Sequence, residues 1–364
     1  MKHLSRVAIV SLLILGFLSS ARAQERATRA ELDCLLLTGS GRAARPGEFS
    51  PYLSFHHVWT PSLNYGQFRS NGINLHYETE GVGDETIIVI HGGPGLPHEY
   101  FHPGLSNLGK YARLVYFDRR ADMLSTGARY EVATLEEMAE DVDALRQSLG
   151  LSRVTLLGHS FGGAIALTYA LRHPEQVKRL ILVSTSGMVE SPANVEKRLI
   201  KSLTPKELSA YNSTEGLQGS GSPCDRVRNR YRALFPHYFH KAPDAKSLDR
   251  GTYSIYFDML SRKLLLAGSS GGFDVRDRLE SIKVPALVLG GRYDLVTPLN
   301  HADELAKGLP QSRLVVLERS GHFPFMEENY LFTEWVRKFI EATSDGVEDR
   351  GAVGESETVS GVLR

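Results

Sequence analysis

The sequence predicts an α/β fold in which helices cover both faces of a mostly parallel sheet, with a helical lid inserted between two strands. From about residue 68 to residue 343, apolar segments of strand character alternate with helical segments. Such alternation is typical of a parallel sheet. This alternation stops between about residues 187 and 278, where the sequence is helical and loop-like. We therefore predict a core at 68–186 and 279–343 and a lid at 187–278.

Most predicted strands are continuous apolar runs, which is typical of strands buried on both faces. Residues 73–79 differ, because apolar and polar side chains alternate there as they do in an edge strand. The central runs lie at 86–90, 113–117, 154–157, 179–183, 284–289 and 313–317.

The predicted helices carry recognisable ends. Thr134 and Glu137 form a capping box, which opens a helix that closes at Gly150. A second helix spans residues 161–172 and is stopped by Pro174, since proline cannot continue a helix. Further helices are predicted around 301–307 and over 330–342.

The two ends of the chain lie outside the predicted core. Residues 1–23 match a signal peptide, with a basic start, an apolar run and cleavage after Ala23, although an uncleaved anchor is an alternative. This predicts an exported protein, periplasmic or secreted, without membrane attachment after cleavage. Residues 24–67 are interpreted as an extension lying on the domain. The polar residues 344–364 are predicted to form a disordered tail.

The composition argues against a nucleic-acid partner and does not decide whether the two cysteines are bonded. The formal net charge is zero and the sequence has no dense run of Lys and Arg, so we expect no nucleic-acid partner. Cys34 and Cys224 could form one disulfide or stay as two thiols. His237 and His240 have no carboxylate or thiolate close in sequence, which makes a weak metal site. We expect neither a metal nor a cofactor.

The most informative motif is Gly158-His159-Ser160-Phe161-Gly162. It joins the predicted strand 154–157 to the predicted helix 161–172. A sharp turn of this kind lifts a serine hydroxyl clear of the sheet, and glycines on both sides let the strand and helix pack closely. The pattern therefore predicts Ser160 as a nucleophile, with His159 pointing away from it.

A nucleophilic serine needs a base and a carboxylate that orients the base. Asp294 follows the strand 284–289, and His322 follows the strand 313–317. Both positions are at carboxyl ends of parallel strands, where sites in such sheets form. We predict His322 as general base and then general acid, oriented by Asp294. Asp118 also follows a strand, but the arginines beside it suggest a structural ion pair.

The loop after strand 86–90 is predicted to stabilise a negative oxygen. Its sequence, His-Gly-Gly-Pro-Gly, begins at residue 91 and lacks the Lys-Ser/Thr of a phosphate-binding loop. The N–H groups of Gly93 and Phe161 are predicted to form an oxyanion hole.

With these motifs the chain resembles the α/β-hydrolases, and within them the serine aminopeptidases of proline iminopeptidase type. The resemblance rests on the segments at 91–95, 158–162, 291–294 and 320–322 and covers about residues 68–340. It implies an α/β-hydrolase fold and release of N-terminal residues, often proline, from small peptides or amides. It also implies a helical cap whose acidic groups hold the substrate's free amine.

In this chain the region between Glu215 and Glu280 holds no glutamate, so an aspartate would have to bind the amine. Asp258 is the candidate, although a solvated helix face explains it as well. Tyr253, Tyr256 and Phe257 are predicted to help the lid select small apolar acyl groups. Two alternatives stay open: a carboxylesterase or lactonase with the same three residues, and a non-catalytic binding protein of this fold.

Overall fold

The computed structural model describes residues 64–93, 98–120, 134–215, 233–242 and 272–344. The described strands form one eight-stranded sheet in the order β1-β2-β4-β3-β5-β6-β7-β8. These are β1 (Asn64–Ser70), β2 (Ile73–Glu80), β3 (Thr86–Ile90), β4 (Arg113–Phe117), β5 (Val154–His159), β6 (Val177–Val183), β7 (Ala286–Gly291) and β8 (Ser312–Leu317).

Helices lie between the strands, as the sequence predicts. They are α1 (His102–Leu105), α2 (Leu135–Ser148), α3 (Phe161–Arg172), α4 (Pro192–Ser202), α5 (Pro205–Glu215), α6 (Leu299–Gly308), α7 (Pro324–Glu327) and α8 (Asn329–Ala342). The predicted cap of α2 is present, because the Thr134 hydroxyl accepts a hydrogen bond from the Glu137 N–H at 3.1 Å.

Six neighbouring strands are mutually parallel, in the order β4-β3-β5-β6-β7-β8. At one end of the sheet, β2 pairs antiparallel with both β4 and β1. The prediction of a mostly parallel sheet is confirmed. The prediction that residues 73–79 form an edge strand is wrong, since β2 pairs with both β1 and β4. β1 is the outer strand, and it begins at Asn64, before the predicted start of the core at residue 68.

Side chains that alternate along the central strands fill two separate cores. On one face Ile88, Leu156 and Leu180 pack with residues of α2, α3 and α6. On the other face Ile87 and Leu157 pack with residues of α1, α7 and α8. Because both faces are covered, the catalytic candidates can only emerge at the strand ends.

Backbone hydrogen bonds join the beginning and the end of the segment between β6 and β7. Val275 N–H donates to Gly187 C=O at 2.8 Å, and Val189 N–H donates to Phe273 C=O at 3.0 Å. The described part of this segment includes α4 and α5. Several sequence predictions lie outside the described residues, namely Asp258, Tyr253, Tyr256, Phe257, both cysteines, residues 1–63 and residues 345–364. Within the described part of the chain, no helix is long and apolar enough to cross a membrane.

Candidate active site

Ser160 lies at the sharp turn between β5 and α3. Its backbone has φ 53° and ψ −121°, a conformation that L-residues rarely adopt. Three hydrogen bonds hold this turn. Ser160 N–H donates to Val183 C=O, while Ser160 C=O accepts from Gly163 N–H and the Thr185 hydroxyl. This strained backbone is what presents the serine side chain to the cavity described below.

The two flanking glycines are required by close backbone contacts. A Cβ added to Gly158 would lie 2.6 Å from the carbonyl oxygen of Gly162, and one added to Gly162 would lie 2.1 Å from that of Ile90. Neither position has room for a methyl group. The glycine pattern therefore follows from the packing of α3 against β3 and β5.

Asp294 is held in a fixed orientation after β7. Its Oδ1 accepts hydrogen bonds from the N–H groups of Val296 and Thr297, at 2.8 and 2.9 Å. Its Oδ2 accepts from the Thr297 hydroxyl at 2.7 Å and lies 2.8 Å from His322 Nδ1. Both partners of this carboxylate–imidazole pair are buried. The carboxylate thus places a proton on Nδ1 and leaves Nε2 available as a base.

The loop that carries His322 is fixed by a glutamate that the sequence analysis did not identify. Glu327 accepts from Gly321 N–H through Oε2, and from the N–H groups of His240 and Lys241 through Oε1. His322 N–H also donates to Tyr238 C=O at 2.6 Å. Glu327 therefore connects the histidine loop to the inserted segment. Little in the sequence indicates this role of Glu327, because the residue lies on a helix of only four residues that follows the histidine.

Ser160 and His322 open into one cavity of about 150 Å³. Its walls are largely apolar and come from both the core and the inserted segment, including Phe161, Met188, Val195 and Phe235. Glu190, another residue that the sequence analysis missed, is the one acidic side chain among the described residues that line it. The geometry therefore combines a nucleophile, a base and a small binding space.

The predicted oxyanion donors also border this cavity. Both Gly93 and Phe161 line it. Phe161 is the first residue of α3, so its N–H has no acceptor within the helix and is available to a ligand. A negative oxygen is also favoured by the positive end of the helix dipole.

Arg119 fixes the peptide that carries the Gly93 N–H. Its Nη2 donates to Gly92 C=O at 3.0 Å, and that carbonyl shares one planar peptide unit with the Gly93 N–H. Its guanidinium also lies 5.5 Å from the centre of the Phe161 ring. Arg119 thus contacts both halves of the predicted oxyanion hole. Its neighbour Arg120 instead pairs with Asp141 on α2.

Replacing Arg119 with methionine should therefore lower kcat by about 10²-fold, the loss typical of one misplaced oxyanion donor. Steady-state kinetics with a chromogenic ester would measure it. Arg120→Met is the matched control, because Arg120 is equally buried but lies away from Gly92. If the two variants lost kcat equally, Arg119 would have only a structural role.

His159 borders the cavity, but its ring nitrogens link the oxyanion loop to the histidine loop. Its Nε2 lies 2.9 Å from His322 C=O and must donate to it, so its Nδ1 accepts from the Tyr100 hydroxyl at 2.7 Å. That hydroxyl in turn accepts from Gly92 N–H. Burial and the nearby His322 lower the pKa of His159 well below its ordinary value, which keeps it neutral. Both ring nitrogens are therefore occupied by structural hydrogen bonds.

Asp118 lies away from this cavity. Its Oδ1 is 2.7 Å from His98 Nδ1, so the described geometry places it with a histidine on a different part of the core. His237 contacts Ser202, and the His240 ring stacks on Tyr293. The structure thus brings Ser160, Asp294, His322, Gly93 and Phe161 together. Among the described candidates, it places Asp118 and His240 in other contacts.

The chain is similar to known hydrolases. The family model described as the alpha/beta hydrolase fold matches residues 85–329. A proline iminopeptidase of Saccharolobus solfataricus is 31% identical over 297 residues, covering 77% of this chain and 93% of that protein.

Two solved structures share the fold at lower identity. A proline iminopeptidase of Mycobacterium smegmatis superposes with a TM-score of 0.62 at 19% identity, covering 77% of this chain and 98% of its own. An esterase from Exiguobacterium antarcticum gives a TM-score of 0.60 at 23% identity, covering 76% and 98%. With the family model matching most of the chain, this hydrolase belongs to the α/β-hydrolase fold family.

Proposed function

We propose that this hydrolase is an aminopeptidase of the proline iminopeptidase type, which releases N-terminal residues from small peptides or amides. The observation that carries the proposal is its similarity to a proline iminopeptidase over 93% of that protein's length. Similarity over nearly the whole length spans the inserted segment as well as the core, and the inserted segment supplies part of the cavity wall.

The proposed reaction proceeds through an acyl-enzyme. Ser160 attacks the substrate carbonyl while His322 Nε2 takes its proton, and Asp294 stabilises the imidazolium that forms. The N–H groups of Gly93 and Phe161 bind the negative oxygen of the tetrahedral intermediate. His322 then gives its proton to the leaving amine, and a water molecule activated by the same histidine releases the acid.

The walls of the cavity support a small apolar acyl group. Most of the described lining is apolar, which suits a small side chain or a proline ring. A peptide would have to enter with its terminal residue in the cavity and its remainder outside. This arrangement favours cleavage of single residues from a chain end.

Glu190 is the group in the cavity that could bind a terminal amine. Its two oxygens already accept 2.6 Å hydrogen bonds from Nη1 and Nη2 of Arg198, and His301 Nε2 lies 3.8 Å from it. The hydrogen bonds from Arg198 lower the pKa of Glu190 more than its burial raises it, so the carboxylate stays charged. An incoming amine would have to share this carboxylate with Arg198.

The same observation favours a second candidate function. Because Arg198 already compensates the charge of Glu190, the described part of the cavity suits a neutral substrate too. A carboxylesterase or lactonase would use Ser160, His322 and Asp294 unchanged, since ester and amide hydrolysis share this machinery. The two candidates differ in whether an amide is cleaved and in whether a free amine improves turnover.

A comparison of three substrates separates the two functions. Purified protein is assayed with a proline arylamide, its N-acetylated form and a short-chain aryl ester, with Ser160→Ala as the blank. We expect kcat/KM for the free-amine arylamide to exceed that of the acetylated form by about 10- to 10²-fold, because a charged hydrogen bond is lost on acetylation. Ester turnover with no amide cleavage would establish the esterase instead.

Two glutamate variants then test the anchor. Glu190→Gln should raise KM for the free-amine substrate and leave the aryl ester unchanged. Glu196→Gln is the matched control, because Glu196 lies on α4 and contacts the Tyr211 hydroxyl instead of the cavity. Equal effects of both variants would assign the amine to another group.

We also propose that the protein is exported and loses residues 1–23. The support is the basic, then apolar, then small-residue pattern of that segment. N-terminal sequencing of the protein recovered outside the cytoplasm should begin at Gln24, and a start at Met1 would contradict the proposal.

A further inference from the structure

A second cluster of chemically active side chains lies outside the cavity. Glu78 on β2, His98 in the turn before α1 and His102 on α1 each offer one ligand atom, and these atoms lie within 4.8 Å of one another. Glu78 Oε1 lies 3.0 Å from His102 Nε2 and also contacts His98 Nε2. Glu78 and His98 are each 1% exposed and His102 is 12% exposed.

The Nδ1 atom of each imidazole faces a further carboxylate. Asp118 Oδ1 lies 2.7 Å from His98 Nδ1, and Glu80 Oε2 lies 3.4 Å from His102 Nδ1. Glu80 is itself fixed by a 2.8 Å hydrogen bond from the Tyr116 hydroxyl. Histidines that bind metals through Nε2 characteristically donate their Nδ1 proton to a carboxylate, which sets the tautomer and ring orientation. The cluster contains this arrangement twice.

The cluster brings several carboxylates together. Glu78, Glu80 and Asp118 are all buried. Each imidazole ring faces a carboxylate on both of its nitrogens, so two imidazolium ions would offset two of the three negative charges. One divalent ion with two neutral imidazoles would supply the same two positive charges.

One oxygen gives independent support for a ligand. Glu78 Oε2 is buried and has no hydrogen-bond partner among the described residues. A buried carboxylate oxygen left unsatisfied is costly, and a bound cation would satisfy it.

We propose that Glu78, His98 and His102 form a binding site for a divalent transition-metal ion, with Zn²⁺ the ion best suited to two imidazoles and one carboxylate. None of the three residues lines the cavity that holds Ser160. The site therefore has a structural role. It joins β2 to the turn that carries Tyr100, whose hydroxyl binds Gly92 N–H in the oxyanion loop.

The test uses the full chain after dialysis against a chelator, titrated with Co²⁺ and then with Zn²⁺. We expect one Co²⁺ per chain with visible d–d absorption bands, displacement of Co²⁺ by Zn²⁺, release of protons on binding and a higher Tm. His102→Gln and Glu78→Gln should each lose the bands and the rise in Tm. His173→Gln should keep both, because His173 contacts Glu140 at another place.

Two results would overturn the proposal. One is a wild-type protein that shows neither saturable binding nor Co²⁺ bands at neutral pH, which would leave the cluster as two imidazolium ions held by carboxylates. The other is Co²⁺ absorption that is the same in wild type and His102→Gln, which would place the ion elsewhere. If Glu78→Gln fails to fold, the His102→Gln spectrum alone decides, since His102 is at the rim of the cluster.

Discussion

Changing Ser160 to alanine should lower kcat by about 10⁶-fold, the loss typical of a serine that acts as a unit with its base and carboxylate. Without the hydroxyl, no acyl-enzyme can form, and only the binding groups and the oxyanion donors remain. The substitution should not change the backbone of the turn, because alanine at φ 53° keeps the same strain and the same backbone hydrogen bonds. Steady-state kinetics on the best of the three substrates measures the loss.

Covalent labelling checks the same assignment independently. A fluorophosphonate probe should label the wild type once per chain and leave Ser160→Ala unlabelled. Ser281→Ala is the control, because its hydroxyl is exposed and contacts only Arg278 C=O in the described structure. Labelling that survives in Ser160→Ala, with unchanged circular dichroism, would move the nucleophile to another residue.

The sequence predicted this part of the molecule because its physical requirements are local. Buried parallel strands need apolar side chains on both faces, so β3 to β7 are visible as largely apolar runs. The close contacts at Gly158 and Gly162 admit no side chain, so the turn leaves a fixed glycine pattern around Ser160. Asp294 and His322 could be placed because residues that follow parallel strands meet at the same sheet edge.

Other features depend on contacts between distant segments and leave no such pattern. Arg119 binds Gly92 from a different strand end, and Glu78 meets His98 across twenty residues of chain. The turn before β2 is an exception. Asn71 and Gly72 both have positive φ, and Asn-Gly is the preferred pair for a two-residue hairpin turn. That pair indicates a strand before residue 73, and the pairing of β2 with β4 then places β2 inside the sheet.

Asp294→Asn should lower kcat by about 10⁴-fold while leaving the fold intact. The reason is the hydrogen-bond pattern around the carboxylate. Oδ1 accepts from two backbone N–H groups, so an asparagine must keep its carbonyl oxygen there. Its NH₂ group then faces His322 Nδ1, which can no longer donate. The histidine is forced into the tautomer with its proton on Nε2, and that nitrogen cannot accept the serine proton.

Kinetics over pH 5–9 with thermal unfolding of each variant tests this argument. Asp118→Asn is the informative comparison, because Asp118 is also a buried carboxylate that follows a strand but contacts His98 rather than His322. It should keep kcat within about 10-fold of wild type, since no group at the cavity depends on its charge for a proton. The reverse ranking of the two variants would reassign the orienting acid to Asp118. It would also mean that the 2.8 Å contact between Asp294 and His322 does not set the tautomer of the base.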